Sequence, residues 1–130
     1  MENKAINSGK MEKFEDVLAW EKARNLTVAI YRITNKNSDF VRDFDLKSQI
    51  RKSSISIMSN IAEGFGRKSD KAFLNFLNIA HGSAAELQSH LYIALDLKYI
   101  EKSEFERLYD LAGEVSKIIT GLGKYLKRNA

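Results

Sequence analysis

Apolar residues recur along most of this chain at alternating steps of four and three, the spacing that stacks side chains on one face of an α-helix. Ala19, Ala23, Leu26, Ile30 and Ile33 form the first such stripe, with Asp16 placed to cap it. Leu46, Ile50, Ser54, Ile57 and Ile61 form the second, and Gly64 and Gly66 follow as stop signals. A third segment, the longest, opens at the N-cap candidate Ser69 and continues to Leu97. The fourth begins at the capping-box pair Ser103 and Glu106 and carries Leu108, Ala112, Val115, Ile119, Leu122 and Leu126. Residues 35–45, rich in Asn, Asp and Ser, read as a loop, and residues 1–13 as a loose N-terminal tail. Sustained strand-like alternation is absent. The pattern predicts an all-α, antiparallel up-down-up-down four-helix bundle over residues 14–128, with helices crossing at about 20°.

Projection at 100° per residue separates core from flank. On the third helix Phe73, Phe76, Leu77, Ala80, Ala84, Leu87, Leu91, Ala94 and Leu95 share the core arc. Leu74, Ala85 and Tyr92 fall beside it, and Ile55, Met58 and Ala62 form a similar off-core stripe on the second helix. One four-helix bundle has no second interior for these stripes, so they are candidate contacts between copies of the chain. The second helix also carries a polar stripe, Gln49, Ser56, Asn60 and Glu63. It reads as an interhelical hydrogen-bond ladder rather than a catalytic site, since no acid–base pair completes it within the helix. Glu63 is also spaced to pair with Arg67 one turn on.

Composition narrows the function classes. The 130 residues are 44% hydrophobic and 29% charged, an ordinary soluble mix. The absence of cysteine excludes a disulfide framework, a thiol nucleophile and Cys-ligated metal sites, and suits a cytoplasmic setting. No apolar run approaches the ~18 residues of a membrane span, so no membrane partner is expected. The net charge of +4 is unevenly spread. Residues 47–71 hold six basic residues against two acids, and the last fourteen hold Lys117, Lys124, Lys127 and Arg128 with no acid. Such segments attract phosphate backbones.

Enzyme chemistry finds little support. A di-iron bundle draws Glu-x-x-His pairs from two helices. The two histidines here, His81 and His90, are nine residues apart on one helix, where the 100° step sets them on opposite sides. The GFGRKS stretch at 64–69 lacks the spacing of a phosphate loop. No catalytic residue, metal ligand or cofactor is predicted.

The second and third helices carry a recognisable signature. Gln49-Ile50-Arg51-Lys52, Ser56-Ile57, Asn60-Ile61-Ala62-Glu63-Gly64, Arg67 and Ser69 belong to it, as do Ile79-Ala80-His81-Gly82-Ser83 and Glu86-Leu87. With Phe14, Leu18, Trp20, Ala23 and Tyr31, they resemble the bacterial four-helix-bundle family of proteins encoded in intervening sequences of 23S ribosomal RNA genes. Met58 departs from it, standing where relatives often carry proline, and should leave the second helix straighter. The resemblance implies antiparallel bundles assembled as ring-shaped homopentamers. It also implies kinship with accessory proteins of diversity-generating retroelements, which form basic rings that engage a reverse transcriptase and nucleic acid. It carries over no catalytic residue: Gln49, Ser56, Asn60, Glu63, Ser83 and Glu86 serve packing and assembly equally well.

The expected function is a non-catalytic, oligomeric helical scaffold that binds RNA or DNA weakly and without sequence preference, alongside a protein partner. Candidate contacts are Arg51, Lys52, Arg67, Lys68, Lys71, Lys124, Lys127 and Arg128. The alternative is a purely structural or protein-recruiting oligomer with no nucleic-acid role.

Overall fold

The computed structural model describes residues 11–129; residues 1–10, most of the expected tail, lie outside the described residues. A 3-10 turn, Phe14–Asp16, leads into α1 (Leu18–Thr34). A short α2 (Ser38–Arg42) precedes the long helices α3 (Phe44–Gly66), α4 (Asp70–Asp96) and α5 (Lys102–Asn129). Around the bundle α1 packs on α3 and α5, and α4 packs on the same two helices. Each adjacent pair is antiparallel. Thr27 reaches Ser54 while Thr34 reaches Arg51 across α1 and α3. Ser53 meets Glu86 while Ser56 meets Ser83 across α3 and α4. Lys22 pairs with Glu114 and Lys36 with Glu104 across α1 and α5. The molecule is the expected all-α bundle.

Every residue of the first, second and fourth apolar stripes is buried, Ser54 among them. On α4, Phe76 and Leu95 are only half-buried. Phe76 has a different task, because it meets α3 at Gly64. A Cβ on Gly64 would stand 2.6 Å from the Phe76 Cβ. Gly64 is therefore buried to let two helices touch, and α3 continues through it to Gly66. The stop comes at Lys68, whose φ of 59° breaks the helix.

Two further expectations change at the element ends. Asp16 does not cap α1; Val17 does so, fully buried, with backbone alone. The Asp16 carboxylate turns back to accept from the Glu12 and Lys13 amides, closing the 3-10 turn. Ser103 and Glu106 lie inside α5, and Glu104 serves instead, its Oε1 accepting the amide of Glu101 at 2.8 Å. The capping-box logic holds with the start moved two residues back. Ser69 does cap α4, accepting from the Ala72 amide at 3.3 Å.

The 35–45 loop holds the turn of helix α2. Asn37 caps it at the Asp39 and Phe40 amides, 2.9 and 3.0 Å. Phe40 is thereby driven fully into the end of the core, stacked on Tyr99 at 5.0 Å. Asp43 caps α3 through the Leu46 amide with one oxygen and accepts the Tyr99 hydroxyl with the other. That hydrogen bond to a carboxylate raises the Tyr99 pKa above the ordinary phenol value.

Candidate nucleic-acid interface

The antiparallel order brings the end of α3, the start of α4 and the end of α5 to one end of the bundle. Arg67, Lys68 and Lys71 therefore share that end with Lys124, Lys127 and Arg128, all six exposed. Positive charge in the last turn of α5 also complements the negative end of its dipole. Arg67 is partly committed: its guanidinium pairs with Glu63 at 3.0 Å and lies over the Phe76 ring at 5.1 Å. The other five have no ion pair among the described residues.

Arg51 and Lys52 stand apart, more than four helical turns back along α3, roughly 22 Å from Arg67. Arg51 is engaged in the fold. Its Nε donates to the Thr34 hydroxyl at 2.8 Å, its Nη2 to Asn35 at 3.1 Å, and it covers Tyr31 at 4.3 Å. It ties α3 to the end of α1 and is withdrawn from the phosphate-contact set. Lys52 is exposed but alone.

Between α4 and α5 an open groove runs toward the basic end. Two adjoining cavities, of about 210 and 430 Å³, share His81, Thr120 and Lys124. Asn78, Gly123 and Lys127 line one, and Gln88, Gly113 and Lys117 the other. No carboxylate of the described residues lines either. Glu114 of α5 pairs with Lys22 of α1 at 3.4 Å. Sequence reasoning counted the charge of Lys117 but did not join it to His81, Asn78 and Thr120. Their steps along α5 (113, 117, 120, 124, 127) were the available signal.

The polar stripe of α3 faces α4. Ser56 and Ser83 hydroxyls lie 2.8 Å apart, and Asn60 Nδ2 donates to the Ser56 carbonyl and hydroxyl, 2.8 and 3.0 Å. Ser53, absent from the predicted set, donates to Glu86 at 3.1 Å and to the Gln49 carbonyl at 2.9 Å. Asn60 thus supports the ladder from within its own helix. Gln49 enters by its backbone, and Glu63 stands outside with Arg67.

The two apolar stripes lie on opposite flanks of the α3–α4 pair. Ile55 is exposed, while Met58 and Ala62 are half-buried, on the α1 side. On the α5 side Leu74 is half-buried at the groove, Ala85 is exposed, and Tyr92 packs on Phe105 and Tyr109 at 4.8 and 5.7 Å. The neighbouring Tyr109 raises the Tyr92 pKa by disfavouring a second phenolate. No helix among the described residues is long and apolar enough to cross a membrane.

A model of the 23S rRNA-intervening sequence protein family matches residues 15–121. Among solved structures, the chain is similar to a protein of unknown function from the S23 ribosomal protein family of Bacteroides thetaiotaomicron VPI-5482. The TM-score is 0.73 at 26% identity, covering 82% of this chain and 98% of that one. No curated protein matches.

Proposed function

As the chain belongs to the family of 23S rRNA-intervening sequence proteins, we propose that it is a non-catalytic helical scaffold binding RNA or DNA weakly and without sequence preference. The observation that carries this reading is the convergence of Lys68, Lys71, Lys124, Lys127 and Arg128, exposed and without an ion pair among the described residues, at one end of the bundle. Unpaired cations on a fixed surface release counterions from a phosphate backbone without reading bases. Self-association multiplies the effect. Two different apolar stripes on opposite flanks suit heterologous contacts that close into a ring. A homopentamer, the number taken from the family resemblance, would carry about +20 from +4 per chain. A cytoplasmic setting fits the cysteine-free composition.

The test is binding of RNA and DNA duplexes across a salt series. Affinity should fall steeply with salt, and Lys68→Ala with Lys71→Ala should flatten the logarithmic slope by about 2. Absence of binding at low salt would end the nucleic-acid reading. The second reading, a protein-recruiting scaffold, is favoured by Ile79 and Ile93 of α4 and by Leu97 at its C-cap, exposed at 51%, 45% and 51%. Exposed apolar side chains in such number along a helix and its end are a candidate protein contact.

A further inference from the structure

We infer that the α4–α5 groove is the track for the phosphodiester backbone of a single nucleic-acid strand, an inference that rests on the nucleic-acid reading above. Charge is the first reason. Lys117, Lys124 and Lys127 stand along one wall of α5, His81 and Asn78 face them from α4, and no carboxylate of the described residues lines the groove. The three lysines span ten residues, roughly 15 Å of helix. That is a row of cations for a chain of phosphates rather than a pocket for one.

Shape is the second reason. Gly113 and Gly123 form part of the floor. A Cβ on Gly123 would meet only the Leu74 Cδ2, at 3.7 Å, and one on Gly113 only the Gln88 Nε2, at 3.5 Å. Both are ordinary contacts, so packing within the chain does not require glycine at either place. Each glycine nonetheless costs a helix stability relative to alanine. What the two glycines preserve is depth, allowing a backbone to come close to the helix. The furrow between two packed helices is a narrow cleft, suited to one strand. A duplex, whose major groove alone is ~12 Å wide, would rest on the rim.

The lining also explains indifference to sequence. It offers Thr120, Asn78 and Ser116 as hydrogen-bonding groups, and among the described residues its one ring is the His81 imidazole, with no Phe, Tyr or Trp on which successive bases could stack. Bases would point outward, and the groove would hold only sugar and phosphate.

The experiment measures binding of a labelled single-stranded RNA and of its duplex by the full chain, with light scattering in parallel. Gly123→Gln fills the floor with no change of charge and with better helix propensity. It should weaken single-strand binding at least tenfold and duplex binding far less. Lys124→Ala with Lys127→Ala should reduce the single-strand salt slope by about 1.4, while Lys102→Ala, at the opposite end, should leave it unchanged. Thr120→Gln, from an exposed position, repeats the block should Gly123→Gln lose helicity. If the filled variants bind single strands like the parent while the lysine pair weakens binding, the cations act outside the groove. The groove inference then falls and the proposed function stands. Leu74 of the α5-flank stripe also lines this groove, so a strand and a neighbouring copy compete for it: if the filled variants change the oligomeric mass, the groove is a contact between copies and the inference also falls. If the parent binds neither nucleic acid at low salt, both fall together.

Discussion

Single residues set the joints of this bundle, and three of them make measurable claims. At Gly64 α3 meets α4 closely, at Phe76, and its missing Cβ is the reason. The clash in Gly64→Ala is with Phe76 Cβ, which moves only with its backbone. The variant should lose about 1–3 kcal/mol, read from the urea midpoint, although alanine is the better helix former. Lys98 is the opposite case. It sits at φ 62° after α4, with the Tyr99 amide bonded to the Ala94 carbonyl and the Lys98 amide to that of Leu95. Those are the two bonds of a left-handed helix terminus that favours glycine. Lys98→Gly should therefore raise stability by about 1 kcal/mol, seen as a higher melting temperature. Glu104 carries a pH signature. The Lys36 ammonium, aided by the Glu101 amide, lowers its pKa below the usual 4.5. A carboxylate with a depressed folded pKa adds stability that is present above its unfolded value and lost as pH falls through the folded one. Glu104→Gln should cost about 1 kcal/mol at pH 7 and almost nothing well below pH 4. The acid limb of its stability curve should be flatter than the parent's.

At the scale of elements, the four long helices could be read from apolar spacing because each buries one continuous face. Period alone places Ala23, Ile57, Leu87 and Val115. The ends were harder to read, and for one reason. A cap is chosen by local geometry that several nearby polar residues can satisfy. Asp16 was a sound N-cap candidate but is occupied by the 3-10 turn before it, and Glu104 reached the Glu101 amide ahead of the Ser103–Glu106 pair. Phe40 was hidden by its polar neighbours in a stretch too short to show a period. The α3–α4 ladder was half visible. Its helix face was legible in Ser56 and Asn60, whereas Ser53 was missed because it lies nearer the core than the stripe to which it belongs. The ladder makes its own prediction. Ser56→Ala and Ser83→Ala should each cost about 1 kcal/mol. A double-mutant cycle should return a positive coupling, since each hydroxyl is the other's partner across the helices. Additivity would mean the 2.8 Å contact contributes nothing.

At the scale of the molecule, charge could be summed from sequence but not located. Residues 47–71 read as one basic segment, yet folding sends Arg51 into the α1–α3 seam and leaves Arg67, Lys68 and Lys71 at the other end of the same helix. Only the antiparallel return of α5 adds Lys124, Lys127 and Arg128 to them. Assembly depends on placement in the same way. Ile55 is 38% exposed on the α1 flank and Ala85 is exposed on the α5 flank, so one copy's two stripes cannot meet each other. If both are contacts, each must meet the other stripe of a neighbouring copy, and every subunit in a closed ring then has both covered. Ala62→Lys disturbs one side and Ala85→Lys the other, and neither position is deep in the core. Either substitution alone should lower the light-scattering mass from the assembly toward the 14.8 kDa chain, with helicity unchanged. Mixing the two variants gives a sharper result. A chain damaged only on the α1 flank and one damaged only on the α5 flank retain one complementary pair of intact stripes. Together they should form a heterodimer of about twice the chain mass but no ring. A mixture that stays monomeric would show that the two stripes are not each other's partners.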